Sequence, residues 1–312
     1  MFFKRSSCLL ILICVYSVFL SQEKEVAIPS YPDSLFGSLL LSKSDYLCII
    51  HAGSGPTDRN GNNDFGLETN CYKKLADSLF AHRISTFRYD KRGVGKSKNN
   101  IVLEDSLNIH TLVNDLSEIT KYFSKPPYQF KKFILIGHSE GALIATIVAQ
   151  KNSKVIKLIL LSGAGFRADT ILKRQLSNVE PKTKSIIYSL IDSLAAGKRI
   201  DNIPPSLYVL FRESVQNYMI SWLPIDPAIE LSKCKQKALI IQGENDIQVG
   251  VIDAKRLKAY KSDAELVILP NMNHVLVDCS KDKEQNKTTY SKPDLPLSKD
   301  LIKYIVEFIN KK

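Results

Sequence analysis

Six short apolar runs, at residues 46–51, 85–89, 133–136, 157–161, 238–242 and 265–269, alternate with stretches of helical periodicity. This alternation limits the folds open to the chain more than any other feature. Each run is followed within two residues by Gly, Asp or Pro, and near-continuous apolarity means burial on both faces, as in a parallel strand between two helical layers. The intervening pattern predicts helices at 71–82, 111–123, 142–150, 251–260 and 298–310. Residues 35–41 predict antiparallel strands at the sheet edge. The expectation is an α/β fold with a mostly parallel central sheet. With 44% apolar and 24% charged residues and no internal repeat, disordered, collagen-like and low-complexity chains are excluded.

Two stretches break the rhythm. Residues 166–230 are helical and amphipathic, punctuated by Pro181, Pro204, Pro205, Pro224 and Pro227, and read as an inserted helical cap. Residues 280–297 are polar and Lys-rich and read as a surface excursion; they contain the sequon Asn286-Lys287-Thr288. The N-terminus has Lys4 and Arg5 ahead of an apolar run at 8–20. That run is shorter than the about 20 residues of a membrane span, so residues 1–21 are expected to be a cleaved signal peptide and the protein exported to the periplasm or outside the cell, with no stable membrane span after processing; an uncleaved N-terminal anchor is the alternative. The domain expectation is a core at 22–165 and 231–312 interrupted by the cap at 166–230. An oxidising compartment permits a disulfide, but Cys48, Cys71, Cys234 and Cys279 allow three pairings and their spacing fits no metal site. The net charge of +11 comes from scattered lysines rather than an Arg-rich stripe, which favours a solvated surface over a nucleic-acid partner.

The strongest local signal is Gly137-His138-Ser139-Glu140-Gly141, placed between an apolar run and a helical pattern. A G-x-S-x-G turn in that setting lifts the serine hydroxyl above the sheet on a strained backbone, and its glycines avoid collisions with strand and helix. Ser139 is therefore the expected nucleophile. The N–H of Glu140, at the helix start, is one expected oxyanion donor. A nucleophilic serine needs a base and an orienting carboxylate, which in this architecture follow in the order acid then histidine after later strands. The run at 238–242 leads into Gly243-Glu244-Asn245-Asp246, and the run at 265–269 leads into a loop ending at His274. Asp246 is the better acid because it lies further into the loop; Glu244 is the fallback. His274 is selected by count, since it alone of the five histidines lies after Ser139. His82 and His110 read as solvated helix ends, and His138 as a packing residue. The second oxyanion donor is expected from His51-Ala52-Gly53-Ser54-Gly55-Pro56, where the sequence leaves Gly53 and Ser54 equal.

Over residues 45–310 the chain resembles the serine-type α/β-hydrolases, close to secreted acetyl esterases and lysophospholipase- or serine-aminopeptidase-like proteins. Besides the elbow, the matching marks are Gly53-Ser54-Gly55-Pro56-Thr57-Asp58-Arg59-Asn60-Gly61-Asn62 and Asp90-Lys91-Arg92-Gly93-Val94-Gly95-Lys96-Ser97. The second resembles the family's D-x-R-G-x-G-x-S loop, whose implied role is support beneath the elbow. The first resembles a loop of small-acyl esterases and implies ester hydrolysis; epoxide and haloalkane chemistry use an Asp where this chain has Ser139. Ala52 departs from the Gly of many relatives. Asp58 and Arg59 are expected to fix the loop by an ion pair. Gly93-Val94-Gly95 lacks the third glycine of a dinucleotide site.

The resulting expectation is an exported serine hydrolase acting on a small-molecule carboxylic ester, with a short acyl group, through Ser139, His274 and Asp246. No metal or organic cofactor is implied, and the oligomeric state is open. A peptidase or amidase with the same triad and a non-catalytic binding protein are the alternatives. The cap is expected to set substrate range, and its aromatic residues Tyr208, Phe211, Tyr218 and Trp222 either wall the acyl pocket or pack the cap onto the main domain.

Overall fold

The computed structural model describes residues 23–100 and 103–311; the expected signal peptide lies outside them. Eight strands of the described residues form one sheet: β1 (Lys24–Pro29), β2 (Ser34–Leu40), β3 (Tyr46–His51), β4 (Ser85–Tyr89), β5 (Lys132–His138), β6 (Val155–Leu161), β7 (Lys237–Gly243) and β8 (Glu265–Leu269). Their order is β1-β2-β4-β3-β5-β6-β7-β8. β1 and β2 add antiparallel at one edge, and every pair from β4 to β8 is parallel. All six apolar runs are strands. β1 escaped the sequence reading because only Val26 and Ile28 of its residues are buried.

The helices are α1 (Cys71–Ala81), α2 (Ile109–Phe123), α3 (Glu140–Lys151), α4 (Ala168–Gln175), α5 (Pro181–Ala195), α6 (Tyr208–Phe211), α7 (Glu213–Trp222), α8 (Pro227–Ser232), α9 (Val251–Tyr260), α10 (Lys283–Thr288) and α11 (Leu301–Asn310). Side chains of a strand alternate between faces, so β3 sends Leu47 and Ile49 into a core shared with α2, α3, α8 and α9. Its Cys48 and Ile50 enter a second core with α1 and α11. The sheet is thus covered on both sides, which is why its strands read as unbroken apolar runs.

Residues 166–232 hold α4 to α8, two residues past the expected boundary, and α4, α5 and α7 share a small core of their own that includes Ala168, Ile187, Ile191, Leu194, Met219 and Leu223. Pro181 and Pro227 sit at helix starts, where a missing N–H costs nothing, behind the capping side chains of Glu180 and Asp226. Two ion pairs join this segment to α9: Arg256 to Asp226, at 2.7 Å, and Arg174 to Asp253, at 2.9 Å.

Most of residues 280–297 lie exposed, as expected of a surface excursion, but two of them turn inward. Asn286 is fully buried and Thr289 nearly so. The Asn286 amide donates to the Asn245 carbonyl at 2.6 Å, and both side chains accept hydrogen bonds from the Asn273 amide, at 3.1 and 2.7 Å. The sequon asparagine is therefore a structural tie beneath the loop carrying His274, closed to modification in the folded chain. Cys48, Cys71, Cys234 and Cys279 are all free thiols. Among the described residues no helix is long and apolar enough to cross a membrane.

Backbone segments also approach closely where β5 passes into α3. A β-carbon on Gly137 would stand 2.2 Å from the Gly141 carbonyl oxygen, and one on Gly141 would stand 2.6 Å from the carbonyl oxygens of His51 and Ala52. Backbone cannot swing aside as a side-chain tip can, so Gly137→Ala is expected to cost about 3 kcal/mol or more. Gly250→Ala, whose β-carbon meets nothing closer than 3.6 Å, is expected to cost about 1 kcal/mol at most. Equilibrium denaturation of the two variants checks this; equal losses would show that the close approach is not what fixes the turn.

Candidate active site

Ser139 follows β5 and caps α3 with φ 54° and ψ −121°, a region that a side chain rarely adopts. Its N–H donates to the Leu161 carbonyl at 2.9 Å, which ties the turn to the end of β6. Glu140 is the first residue of α3. Its N–H has no intrahelical partner and lies at the positive end of the helix dipole.

His274 lies in the loop after β8, and its Nδ1 is 2.8 Å from Oδ2 of Asp246. The Asp246 side chain is fully buried and also accepts hydrogen bonds from Gln242 Nε2 at 3.0 Å and from the N–H groups of Gln248 and Val249 at 2.8 and 2.9 Å. Burial pushes this carboxyl up, but the His274 charge and these hydrogen bonds outweigh it and hold Asp246 below the usual carboxylate value. Asp246 therefore orients Nδ1 as a donor and leaves Nε2 as the basic nitrogen. Glu244 is exposed and is not the partner of His274.

His138 packs, as its position implies, and it also links two walls of the site. Its Nε2 is 2.7 Å from the His274 carbonyl oxygen and its Nδ1 is 2.7 Å from the Tyr72 hydroxyl. A carbonyl can only accept, so Nε2 carries the proton and the Tyr72 hydroxyl donates to Nδ1. The same hydroxyl accepts from the Gly53 N–H at 3.1 Å. The Gly53 N–H thus has a partner in α1.

The loop after β3 is held from below by the end of β4. Arg59 meets Asp90 through Nη2 at 2.7 Å, Nε at 3.0 Å and its own N–H at 2.8 Å. Lys91 Nζ donates to the carbonyl of Gly55 at 2.8 Å and to that of Gly53. Asp58 makes no pair with Arg59; its Oδ1 collects the N–H groups of Asn60, Gly61 and Asn62, at 2.8 to 2.9 Å. The hydrogen bonds of Asp90 and Lys91 thus hold the loop after β3. Tyr72, Lys91 and Asn273 were not singled out in the sequence, although Lys91 stood within a quoted motif.

Ser139, His138, His274 and Ser54 line one cavity of about 330 Å³. Its outer wall comes from 61–72, notably Asn63, Phe65 and Leu67, and from Val275 and Tyr290. Phe65, at 80% exposed, stands at a tip stiffened by the Asn63 side chain, which accepts from the N–H groups of Phe65 and Leu67 at 2.9 and 3.2 Å. The four cap aromatics do not line it. Phe211 is buried in the core of the cap, Tyr208 is 56% exposed, and Trp222 packs against both the cap core and the main core. Tyr218 instead hydrogen-bonds the Glu140 carboxyl. His82 and His110 are exposed. Among the described residues no group of three or more His, Cys, Asp or Glu side chains is placed to hold a metal ion.

A family model described as serine aminopeptidase, S33, matches residues 65–272. Est1E from Butyrivibrio proteoclasticus is similar with a TM-score of 0.57 and 17% identity, over 92% of this chain and 99% of that one. The Pyrococcus furiosus esterase Pf2001 gives 0.54 and 18%, over 82% and 84%. The α/β hydrolase GrgF from Penicillium sp. gives 0.57 and 18%, over 81% and 91%. These likenesses establish the fold. No curated protein matches the chain.

Two buried rings make the fold sensitive to acid. His51, against Tyr89 Oη at 2.6 Å, and His138 are both lowered by burial from 6.5 to about 3. Between those values the unfolded chain binds protons that the folded chain refuses, so stability is highest above about pH 6.5 and falls as pH drops, by about 1.4 kcal/mol per pH unit for each ring. Urea unfolding at pH 7 and pH 5 is expected to show this loss, with a shallower slope in His51→Gln; a flat profile would contradict neutral burial of the rings.

Proposed function

The chain belongs to the serine aminopeptidase, S33, family of α/β-hydrolases, and from that premise we propose that it is an exported serine esterase acting on small carboxylic esters. The observation that carries this reading is the pairing of His274 with the buried Asp246 on the wall of the cavity that Ser139 also lines. In this reading Ser139 Oγ attacks the acyl carbonyl while His274 Nε2 takes its proton. Asp246 holds the imidazole and stabilises its charged form, and the proton passes to the departing alcohol. Water then cleaves the acyl-enzyme by the same route in reverse. The N–H groups of Glu140 and Ser54 hold the oxyanion, and the segment at 1–21 directs export.

The amide alternative has the family's name in its favour. An aminopeptidase, however, must hold a substrate ammonium, and the cavity wall offers no acidic side chain for it. Its polar lining is neutral: Ser54, Thr57, Asn63, Thr69, Gln248 and Tyr290. A neutral, partly polar cavity of about 330 Å³ suits an uncharged ester with a short acyl chain.

Ser139→Ala is expected to fold normally and lose about 10⁶-fold in turnover, and a fluorophosphonate is expected to label Ser139 alone. On a panel of nitrophenyl esters and amino-acid anilides, short esters are expected to be preferred. Turnover of anilides alone would replace this reading with the peptidase.

The placement of the cavity wall carries a separate expectation. Phe65→Ala combined with Leu67→Ala should change the preferred acyl length, whereas Tyr208→Ala should leave it unchanged. The reverse result would return specificity to the cap.

A further inference from the structure

Lys91 is a buried cation that the triad does not use. Its ammonium donates to the carbonyl oxygens of Gly53 and Gly55, so it grips the oxyanion loop on both sides of Ser54. Gly53 C=O and Ser54 N–H belong to one peptide group, and in a trans peptide they point in opposite directions. Turning the carbonyl onto Lys91 turns the Ser54 N–H to the other side, and Ser54 lines the cavity with Ser139. A cation on the carbonyl also draws electrons through the peptide and strengthens its N–H as a donor.

Burial lowers the affinity of Lys91 for its proton, and the charge of Glu140, the residue after the nucleophile, opposes that shift. Glu140 in turn accepts from Tyr218 of α7. The ammonium therefore has a counter-charge on the elbow itself. An uncharged side chain of similar length would fill the same space without desolvating a cation.

We propose that Lys91 is a positioning residue of the oxyanion hole, fixing and polarising the Gly53–Ser54 peptide so that the Ser54 N–H meets the charge that develops on the substrate oxygen. This rests on the serine-esterase reading. It differs from a merely structural role because the benefit is confined to the transition state, in which the oxygen is charged.

The test compares Lys91→Met, Lys91→Gln and Lys91→Arg with the wild type, by ester kinetics, by affinity for a trifluoromethyl ketone, and by the rate of fluorophosphonate labelling. In that labelling Ser139 Oγ forms a bond to phosphorus, fluoride leaves and the serine proton passes to His274. Loss of an oxyanion donor costs about 10²–10³ in kcat, and Lys91→Met and Lys91→Gln are expected to fall in that range with KM within about twofold. Affinity for the ketone and the labelling rate should fall in parallel. Lys91→Arg, which keeps the cation, should recover at least tenfold; if the methionine variant does not fold, the glutamine and arginine variants decide the matter. Wild-type kcat in the neutral variants, or a fall in kcat with ketone affinity unchanged, would overturn the proposal alone. A wild-type protein whose Ser139 is not labelled would overturn the esterase reading and this proposal together.

Discussion

The missing β-carbons of Gly137 and Gly141 let the end of β5, the start of α3 and the end of β3 approach to distances that no larger residue tolerates. Ser139 is left at φ 54°, with its hydroxyl at the cavity and the first amides of α3 beside it. Strain of this kind persists only where the surroundings over-determine it. Here they do: the Ser139 N–H is tied to β6, and α3 is buried along almost its whole length, so neither side of the turn can relax without opening the sheet.

Around that fixed point the other groups are placed by buried polar bonds rather than by apolar packing. Asp246 is set by Gln242 and two backbone amides, and the His274 loop is held by Asn273, Asn286 and Thr289. The loop after β3 is held by Arg59 on Asp90 and by Lys91. A network of this sort is directional, and leaving one member unpaired is costly. It can therefore hold catalytic groups to the short distances that chemistry needs, where a greasy contact would let them slide.

This division explains what could be read from the sequence. The six parallel strands were legible because burial on both faces leaves an unbroken apolar signature. Ser139 was legible because its glycines are demanded by geometry, and His274 because no other histidine follows it. Asp246 could be ranked above Glu244 by loop length alone, and in the fold it is Asp246 whose buried side chain meets His274. The surface course of residues 280–297 was legible in their polar composition, whereas the burial of Asn286 and Thr289 was not, because it is secured by hydrogen bonds, which leave no mark in hydropathy. The bond of the Gly53 N–H to Tyr72 could not be foreseen, since Tyr72 is a residue of α1 whose side chain meets the loop only in the fold.

The cap illustrates the same limit from the other side. Its helical periodicity and its proline boundaries were evident, and its aromatic residues looked fit to wall a pocket, yet periodicity cannot say which face meets what. Phe211 serves the cap's own core, and Tyr208 faces solvent. The aromatic that reaches the elbow is Tyr218, and it reaches Glu140 by a hydrogen bond rather than by presenting a ring to the cavity. The cap thus meets the turn after β5 through a directional polar bond from Tyr218 to Glu140, a contact that helical periodicity cannot announce, while the cavity wall is supplied from elsewhere in the chain, by residues 61–72 together with Ser54, Thr57, Gln248, Val275 and Tyr290.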